Sequence, residues 1–171
     1  MELLVAIDTR SSAPRLLEPG PTSAHLQRLF AAAQRAPDHG RLKPWRFILL
    51  ENELRQKFAQ AAAQARHLQV PTLSPEQLEG DRQKIIRSPC IVVIACTVRR
   101  DQVKVPEIEQ VIAVGAAAQN FVLAAHDLGY GAMWKTGPAA YDAGVKACLD
   151  LDPQDHIIAI MHLGARAAKP L

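Results

Sequence analysis

The chain has 171 residues, a length typical of one compact domain with an ordinary hydrophobic core. Hydrophobic residues make up 49% of the chain and charged residues 22%, so the composition is globular and argues against a disordered protein. The formal net charge of +3 is too small and too scattered to indicate a nucleic-acid partner, although it is compatible with a local cationic pocket for a phosphate.

The predicted elements alternate between helices and strands, and two apolar segments stand out. The first, CIVVIACTV from position 90, predicts a strand that is covered on both faces. The second is a long helix from Pro106 to Leu128, closed by Gly129 as a C-cap. In chain order we predict helices at 2–9 and 22–35, a strand at 45–51, helices at 53–68 and 75–87, a strand at 90–98, the long helix at 106–128, a strand at 130–136, a helix at 140–149 and a strand at 156–163.

The long helix is apolar on more than one side. Ile108 and Ile112 mark one side, Phe121 marks another, and small residues occupy 115–118. A helix that is apolar nearly all round is buried, which in so short a chain indicates a partner subunit; the alternative is the core helix of a monomer. The polar pair at 119–120 interrupts the apolar run and acidic residues precede it, so we predict no membrane span.

The cysteines and histidines predict no metal site. Cys90 and Cys96 lie six positions apart, so we expect both on one face of a strand as buried small hydrophobes. His156 and His162 are also expected to share a strand face, but no cysteine or carboxylate clusters beside them. The odd count of three cysteines, with Cys148, and the lack of a signal peptide predict a reduced, cytoplasmic protein.

Two loops carry groups that bind anions. Arg10 is followed by two serines in a proline-rich loop, and a guanidinium with neighbouring hydroxyls is a good donor set for a phosphate. In RAPDHGRLKPWRF, Arg35 and His39 flank a Pro-Asp turn, and both side chains can donate to an anionic or carbonyl-rich ligand. Asp38 either orients His39 or makes a hydrogen bond within the turn. Taken alone, each segment is more typical of a solvated surface turn.

A third segment, GYGAMWKTG, supplies a flat wall and a charge. Its glycines precede a strand, whereas the dinucleotide fingerprint has glycines after a strand at the opening of a helix. Trp134 offers an aromatic surface, Lys135 a charge and Thr136 a hydroxyl; the alternative is a core strand with one exposed lysine. The sequence has no GxxxxGK[ST] phosphate loop and no recognisable nucleophile elbow.

The order of the three segments is more specific than any one of them. R-S-S, then APDHxxxxPWxF, then GxGxxWKTG after a long helix resembles the nitroreductase family of flavoproteins, most of all its small YdjA-type members. The resemblance extends from about Leu3 to Gly164 and implies a single nitroreductase-like FMN-binding domain over 1–171. It implies an α+β fold with a central, mostly antiparallel sheet flanked by helices. It also implies a homodimer with FMN at the interface, NADH or NADPH as electron donor, and no nucleic-acid or membrane partner.

Carried over residue by residue, the resemblance implies a set of cofactor-binding residues. Those that hold the FMN phosphate and ribityl chain are Arg10, Ser11 and Ser12. Those that reach the flavin from the other subunit are Arg35 and His39. Those that lie against the flavin are Trp134, Lys135 and Thr136. The resemblance also places the nicotinamide cofactor near Ala124 in the long helix.

The activity that follows is a ping-pong reduction of nitroaromatic or quinone-like acceptors. NAD(P)H gives hydride to flavin N5, and the acceptor then takes two electrons from the same flavin face. Lys135 is our candidate for stabilising negative charge at flavin N1, and no dedicated catalytic side chain is predicted.

Arg41 and Lys43 stand where many members carry Asn and Gln, and Lys135 replaces a common arginine. These departures leave open a protein that sequesters or senses FMN without turnover; a domain with no flavin is a third possibility.

Overall fold

The computed structural model describes residues 2–167, which form six α-helices and five β-strands. The helices are α1 (Leu3–Thr9), α2 (Ser23–Ala33), α3 (Asn52–Gln69), α4 (Pro75–Ile86), α5 (Glu107–Asp127) and α6 (Ala143–Cys148). The strands are β1 (Leu16–Leu17), β2 (Trp45–Leu49), β3 (Cys90–Cys96), β4 (Tyr130–Lys135) and β5 (His156–Arg166). Short 3₁₀ turns lie at His39–Arg41 and Pro138–Ala140. The predicted elements are therefore present, although the helix predicted at 140–149 is shorter and covers only 143–148.

The strands form one antiparallel sheet with β5 at its centre. β3 pairs with one edge of β5, and β2 pairs with the far edge of β3. β4 pairs with β5 through residues 130–135, and β1 pairs with the carboxyl end of β5. The predicted α+β fold with a mostly antiparallel sheet is confirmed.

Both faces of the sheet are covered, and β3 shows this most directly. Cys90, Ile94 and Cys96 belong to the core that α2 and α5 form on one face, while Ile91 and Val93 belong to the core that α3 and α6 form on the other. Every residue of β3 is buried, as its continuous apolar sequence predicts. Both cysteines lie on the same face, as predicted, and burial raises the pKa of Cys90 to about 11 and that of Cys96 to about 12.

Side-chain caps fix the start of three helices. At α6, the Asp142 side chain accepts a hydrogen bond from the Val145 backbone N–H at 2.8 Å. The Thr22 side chain accepts a hydrogen bond from the His25 backbone N–H at the start of α2, and Ser74 and Gln77 form a reciprocal capping box at the start of α4. The structure ends α2 at Ala33, two residues before the predicted end. The turn that follows begins the segment at residues 35–44, RAPDHGRLKP, which we call the RAPDH loop.

Helix α5 has one buried face and one exposed apolar stripe in the single chain. Phe121 and Val114 are fully buried in the core, whereas Ile108 is 62% exposed and Ile112 is 63% exposed. A Cβ atom built on Gly115 would meet no atom within 4 Å, so this part of the helix is open. By length and composition α5 is also apolar enough to cross a membrane, but a helix whose buried face carries core residues is typical of a domain core.

A bulge in β5 places His156 and His162 on opposite faces of the sheet, contrary to the prediction. The pairing with β3 shifts between Ile94 and Ala95, so that Ile158 is the extra residue of β5. His156 therefore lies on the α5 side, where its Nε2 atom is 2.5 Å from a carboxylate oxygen of Glu107. His162 lies on the α4 side. The prediction that the two histidines share a face is wrong because one extra residue reverses the alternation.

The segment from Ser12 to Leu17 crosses over β4 and β5 at the point where Gly131 pairs with Gly164. Ser12 forms a parallel bridge with Ala132 at the outer edge of β4, and the chain then pairs with β5 at Arg166. A Cβ atom on Gly131 would lie 2.7 Å from Leu16 Cδ2, and one on Gly164 would lie 2.7 Å from the Leu17 carbonyl oxygen. Only glycine leaves room for this crossing. The crossing places residues 10–15, which we call the Arg10 loop, beside β4.

Candidate cofactor site

Two adjoining cavities lie on the α4 side of β4, with volumes of about 360 and 290 Å³. They share three side chains, which are Lys84, Lys135 and His162. The first is also lined by Pro14, Leu16, Arg87, Ser88, Pro89 and Met133. The second continues beneath α3 and reaches Thr136. We call the two together the β4 cavity. It combines apolar walls with a few converging polar groups, as ligand sites generally do.

Strand alternation divides the predicted Trp-Lys-Thr segment between the two faces of the sheet. Lys135 and Thr136 line the β4 cavity. Trp134 lies on the α5 face, where its indole N–H donates to the Ile158 carbonyl oxygen at 2.9 Å. That carbonyl belongs to the bulged residue of β5. Alternation therefore separates Trp134 from Lys135. Thr136, which follows the end of β4, lines the β4 cavity and also a cavity on the α5 side beside Ile158.

The β4 cavity has an excess of positive charge. Burial lowers the pKa of Lys135, and the nearby Lys84 ammonium lowers it further. Lys84 has a carboxylate partner, Asp81, at 2.8 Å, whereas Lys135 has no ion-pair partner among residues 2–167. An anionic group in the cavity would relieve the repulsion between the two ammonium groups. Sequence reasoning missed Lys84, because nothing distinguishes it from the other charges of a polar helix.

The wall of the cavity holds a buried histidine. His162 is 6% exposed, and its Nδ1 atom is 3.0 Å from the Ser88 hydroxyl. Burial, and secondarily Lys135 and Arg55, lowers the pKa of His162 to about 3, so the imidazole is neutral at pH 7. Its Nε2 atom has no hydrogen-bond partner in the described part of the chain. Sequence reasoning considered His162 only as a metal ligand, but among residues 2–167 no group of three or more His, Cys, Asp or Glu side chains could hold a metal ion.

A second group of cations lies at the outer edge of β4. Arg10, Ser11 and Ser12 follow α1, and Arg10 is half-buried with no hydrogen bond from its guanidinium within residues 2–167. Arg166, at the end of β5, donates to the Ser11 hydroxyl at 3.1 Å and to the Ser11 carbonyl oxygen at 3.0 Å. We call these four residues the Arg10 cluster. Arg166 was missed because the strand was predicted to end at residue 163.

His126 of α5 borders the Arg10 cluster, and burial together with the positive charge of the cluster lowers its pKa. Its Nδ1 atom is 3.3 Å from Arg166, and its Nε2 atom is 2.9 Å from the Thr9 hydroxyl. Burial lowers the pKa of His126, and the Arg166 and Arg10 guanidinium groups lower it further. Two guanidinium groups near one neutral imidazole form an environment that attracts anions.

His39 lies far from the Arg10 cluster in the single chain. The His39 Nδ1 atom is 2.5 Å from a carboxylate oxygen of Glu109 in the first turn of α5. His126 is in the last turn, so the two groups are separated by about 25 Å along the helix axis. Arg35 is exposed beyond the end of α2. Within one chain, His39 is therefore out of reach of the Arg10 cluster.

The RAPDH loop itself is a tight, specific turn. Asp38 accepts a hydrogen bond from the Lys43 backbone N–H at 2.7 Å, so it makes a turn contact while Glu109 is the partner of His39. Arg41 and Lys43, the two departures from the family pattern, are exposed and have positive φ angles of 53° and 50°. Positive φ is uncommon outside glycine, and here it turns the chain toward β2.

Ala124 is not brought to the β4 cavity within one chain. It is half-buried in α5 and packs against the core on the α2 side of the sheet. The β4 cavity opens on the opposite face. The contact with a nicotinamide cofactor stays a prediction.

The sequence matches known proteins over nearly its full length. The model of the Nitroreductase family matches residues 8–165. A protein of Escherichia coli K12 named "Putative NAD(P)H nitroreductase YdjA" is 31% identical over 170 residues, covering 99% of this chain and 91% of that protein. A protein of Haemophilus influenzae named "Putative NAD(P)H nitroreductase" is also 31% identical, with the same coverage of both chains.

Solved structures show the same fold. A nitroreductase-like family protein from Bacillus cereus superposes with a TM-score of 0.82 at 23% identity, covering 100% of this chain and 89% of that one. A nitroreductase with bound FMN from Bacteroides fragilis superposes with a TM-score of 0.73 at 18% identity, covering 100% and 91%. The sequence match, the fold and the arrangement of basic residues around β4 agree, and the chain belongs to the nitroreductase family.

Proposed function

We propose that this chain forms a homodimeric, FMN-dependent oxidoreductase. It takes electrons from NADH or NADPH and passes them to nitroaromatic or quinone-like acceptors in a ping-pong cycle. The observation that carries the proposal is the continuity between the Arg10 cluster and the β4 cavity. Ser12 bridges to β4, and Pro14 and Leu16 of the same segment line the cavity. The names of the curated relatives support NAD(P)H as donor, and the FMN-bound structure from B. fragilis supports the cofactor.

The donor groups of the site fit the chemistry of FMN. The phosphate is a dianion, and the Arg10 cluster offers two guanidinium groups with serine hydroxyls. The flavin ring is planar and largely apolar with polar atoms along its edge. Met133 and Leu16 give the β4 cavity apolar walls, while Lys84, Lys135 and His162 supply polar groups for the edge. The residues present therefore fit the cofactor at both of its ends.

When bound, FMN supplies the two-electron chemistry, and the side chains supply position and charge. Lys135 and Lys84 would place positive charge beside the bound cofactor, which would favour its negatively charged reduced form and raise its reduction potential. Lys135 is the better donor because it has no carboxylate partner in the described residues. Solvent protonates the product, so no side-chain acid is required.

A second copy of the chain completes the site in this proposal. The exposed apolar stripe of α5, with Ile108 and Ile112, gives the partner a surface to cover. His39 is too far from Arg10 to meet it within one chain, and a partner can deliver His39 and Arg35 to the flavin. Ala124 then contacts the nicotinamide. Free cysteines at 90, 96 and 148 agree with a cytoplasmic protein.

Colour and anaerobic reduction test the proposal. The purified protein is expected to be yellow, to bleach with NADH or NADPH under nitrogen, and to recover its colour when a nitroarene or quinone is added. A yellow protein that stays oxidised with both nicotinamides would instead support a protein that sequesters or senses flavin. A colourless protein that does not take up added FMN would refute both.

A substitution separates the role of Lys135 from simple binding. Lys135→Met is expected to lower the flavin midpoint potential while FMN stays bound, because a positive charge near the reduced cofactor is lost. Lys104→Met, an exposed lysine outside the site, is the matched control and should leave the potential unchanged. Equal potentials in the two variants would remove Lys135 from the flavin environment.

A further inference from the structure

A carboxylate in the first turn of α5 binds the histidine of the RAPDH loop. Nδ1 of His39 lies 2.5 Å from Oε2 of Glu109. The next residue of the loop, Gly40, packs against Val105 just before α5, since a Cβ atom at Gly40 would lie 3.2 Å from the Val105 side chain. The loop is therefore held against the start of α5 at two neighbouring positions, and this packing brings together residues that are 70 positions apart in the chain.

Glu109 determines which nitrogen of His39 carries a proton. An ionised carboxylate accepts hydrogen bonds and cannot donate them, so Nδ1 of His39 must carry the N–H of this contact. When the ring is neutral, its lone pair is then on Nε2. Glu109 lies in the first turn of α5, where the free backbone N–H groups of the helix favour its negative charge. The packing of the loop thus selects one tautomer of His39.

The other nitrogen of His39 is left for a ligand. Asp38 is the nearer carboxylate in sequence, but it accepts from the Lys43 backbone N–H at 2.7 Å and is used within the turn. Nε2 of His39 has no hydrogen-bond partner among residues 2–167, and the side chain is 60% exposed. His39 is therefore anchored at one ring nitrogen while the second can contact a group outside its own chain.

We propose that Glu109 is the positioning residue that fixes His39 for contact with the flavin bound across the dimer interface. Glu109 holds Nδ1–H, so that Nε2 is the nitrogen that meets the cofactor. The inference rests on the proposed function, because the flavin is what His39 is proposed to reach. Carboxylates orient metal-binding histidines in the same way, by binding the ring nitrogen that the ligand does not use. Sequence reasoning considered only Asp38 as the partner of His39, because nothing in the chain relates position 39 to position 109.

Nitrogen-15 NMR of the flavin-free protein tests the tautomer without cofactor or turnover. At a pH where the ring is neutral, His39 of the parent should carry its proton on Nδ1; its signals are assigned by their absence from His39→Ala. Glu109→Ala removes the acceptor, and the proton should then move at least partly to Nε2. The control Glu76→Ala removes an exposed carboxylate from the first turn of α4 and should leave the His39 signals unchanged.

Titration of FMN, followed by quenching of its fluorescence, tests the link to the cofactor. Glu109→Ala is expected to weaken FMN binding about threefold to tenfold, since the histidine that contacts the cofactor is no longer oriented. In the His39→Ala background the same change should alter the affinity less than about twofold, because Glu109 acts through His39. Glu109→Asp keeps a carboxylate on a shorter side chain and should recover part of the affinity, and Glu76→Ala should match the parent.

The outcomes separate the role of Glu109 from the flavin function. A His39 tautomer that Glu109→Ala leaves unchanged would overturn the proposal. Equal losses of FMN affinity with and without His39 would also overturn it, because Glu109 would then act on the fold or on the cofactor directly. FMN binding that Glu109→Ala does not weaken would keep the flavin function and remove Glu109 from it. A Glu109-dependent tautomer in a protein that binds no FMN would refute the flavin function, and with it the cofactor role of the pair.

Discussion

Acid should destabilise this protein through His162, the buried histidine in the wall of the β4 cavity. Its pKa is about 3 in the folded chain, against a usual value of 6.5. Below pH 6.5 the unfolded chain binds a proton at this histidine that the folded chain does not bind. Stability is therefore fully present above pH 6.5 and decreases as the pH falls toward 3. Between pH 7 and pH 4.5 the expected loss is about 2.5 kcal/mol.

The assay is urea unfolding of the flavin-free protein at several pH values, followed by tryptophan fluorescence. The comparison is with His162→Gln, whose side chain does not titrate but still reaches Ser88 by hydrogen bonding. The variant should lose about 2.5 kcal/mol less than the parent over this range, because only the parent gains the extra proton on unfolding. If the two proteins lose the same free energy of unfolding, His162 is not held neutral by burial, and the account of the cavity electrostatics is wrong.

Three further predictions concern packing, capping and assembly. Gly131→Ala should destabilise by about 1–3 kcal/mol in thermal unfolding, since the new Cβ lies 2.7 Å from Leu16 Cδ2. The control Gly80→Ala has open space around its Cβ in α4 and should stabilise by up to about 1 kcal/mol; similar losses in both would refute the crossing argument. Ser74→Ala removes the α4 cap and should cost about 1 kcal/mol in urea unfolding, and no change would show that the cap is dispensable. Ile112→Glu places a charge on the exposed stripe of α5 and should shift the sedimentation coefficient from dimer to monomer; an unchanged dimer would put the interface elsewhere.

Patterns of a few residues were enough to predict most of the elements. The continuous apolar run of β3 indicates burial on both faces, and the Ser-Pro pair at 74–75 indicates a helix start, because both signals act within one turn or one strand. The motif order was enough to identify the family, which the comparison over residues 8–165 confirms. The assigned roles of the cofactor-binding residues stay predictions.

The sequence could not decide which of those residues meet. The alternation of β4 separates Trp134 from Lys135, and the single bulge at Ile158 sends His156 and His162 to opposite faces. Lys84 joins Lys135 only because α4 and β4 line the same cavity, and nothing in their spacing along the chain indicates this.

The sequence by itself determined the segments of this protein, its buried strand and its family. The segments and the buried strand depend on local propensity and on short-range patterns of apolar residues, which a linear chain displays directly. The family was identified by its resemblance in the order of three motifs along the chain. Only the tertiary structure decided that Arg166 lies beside Ser11 and that His162 is buried under Lys135. Such contacts join residues far apart in the chain, so their geometry and their pKa values exist only once the sheet has assembled.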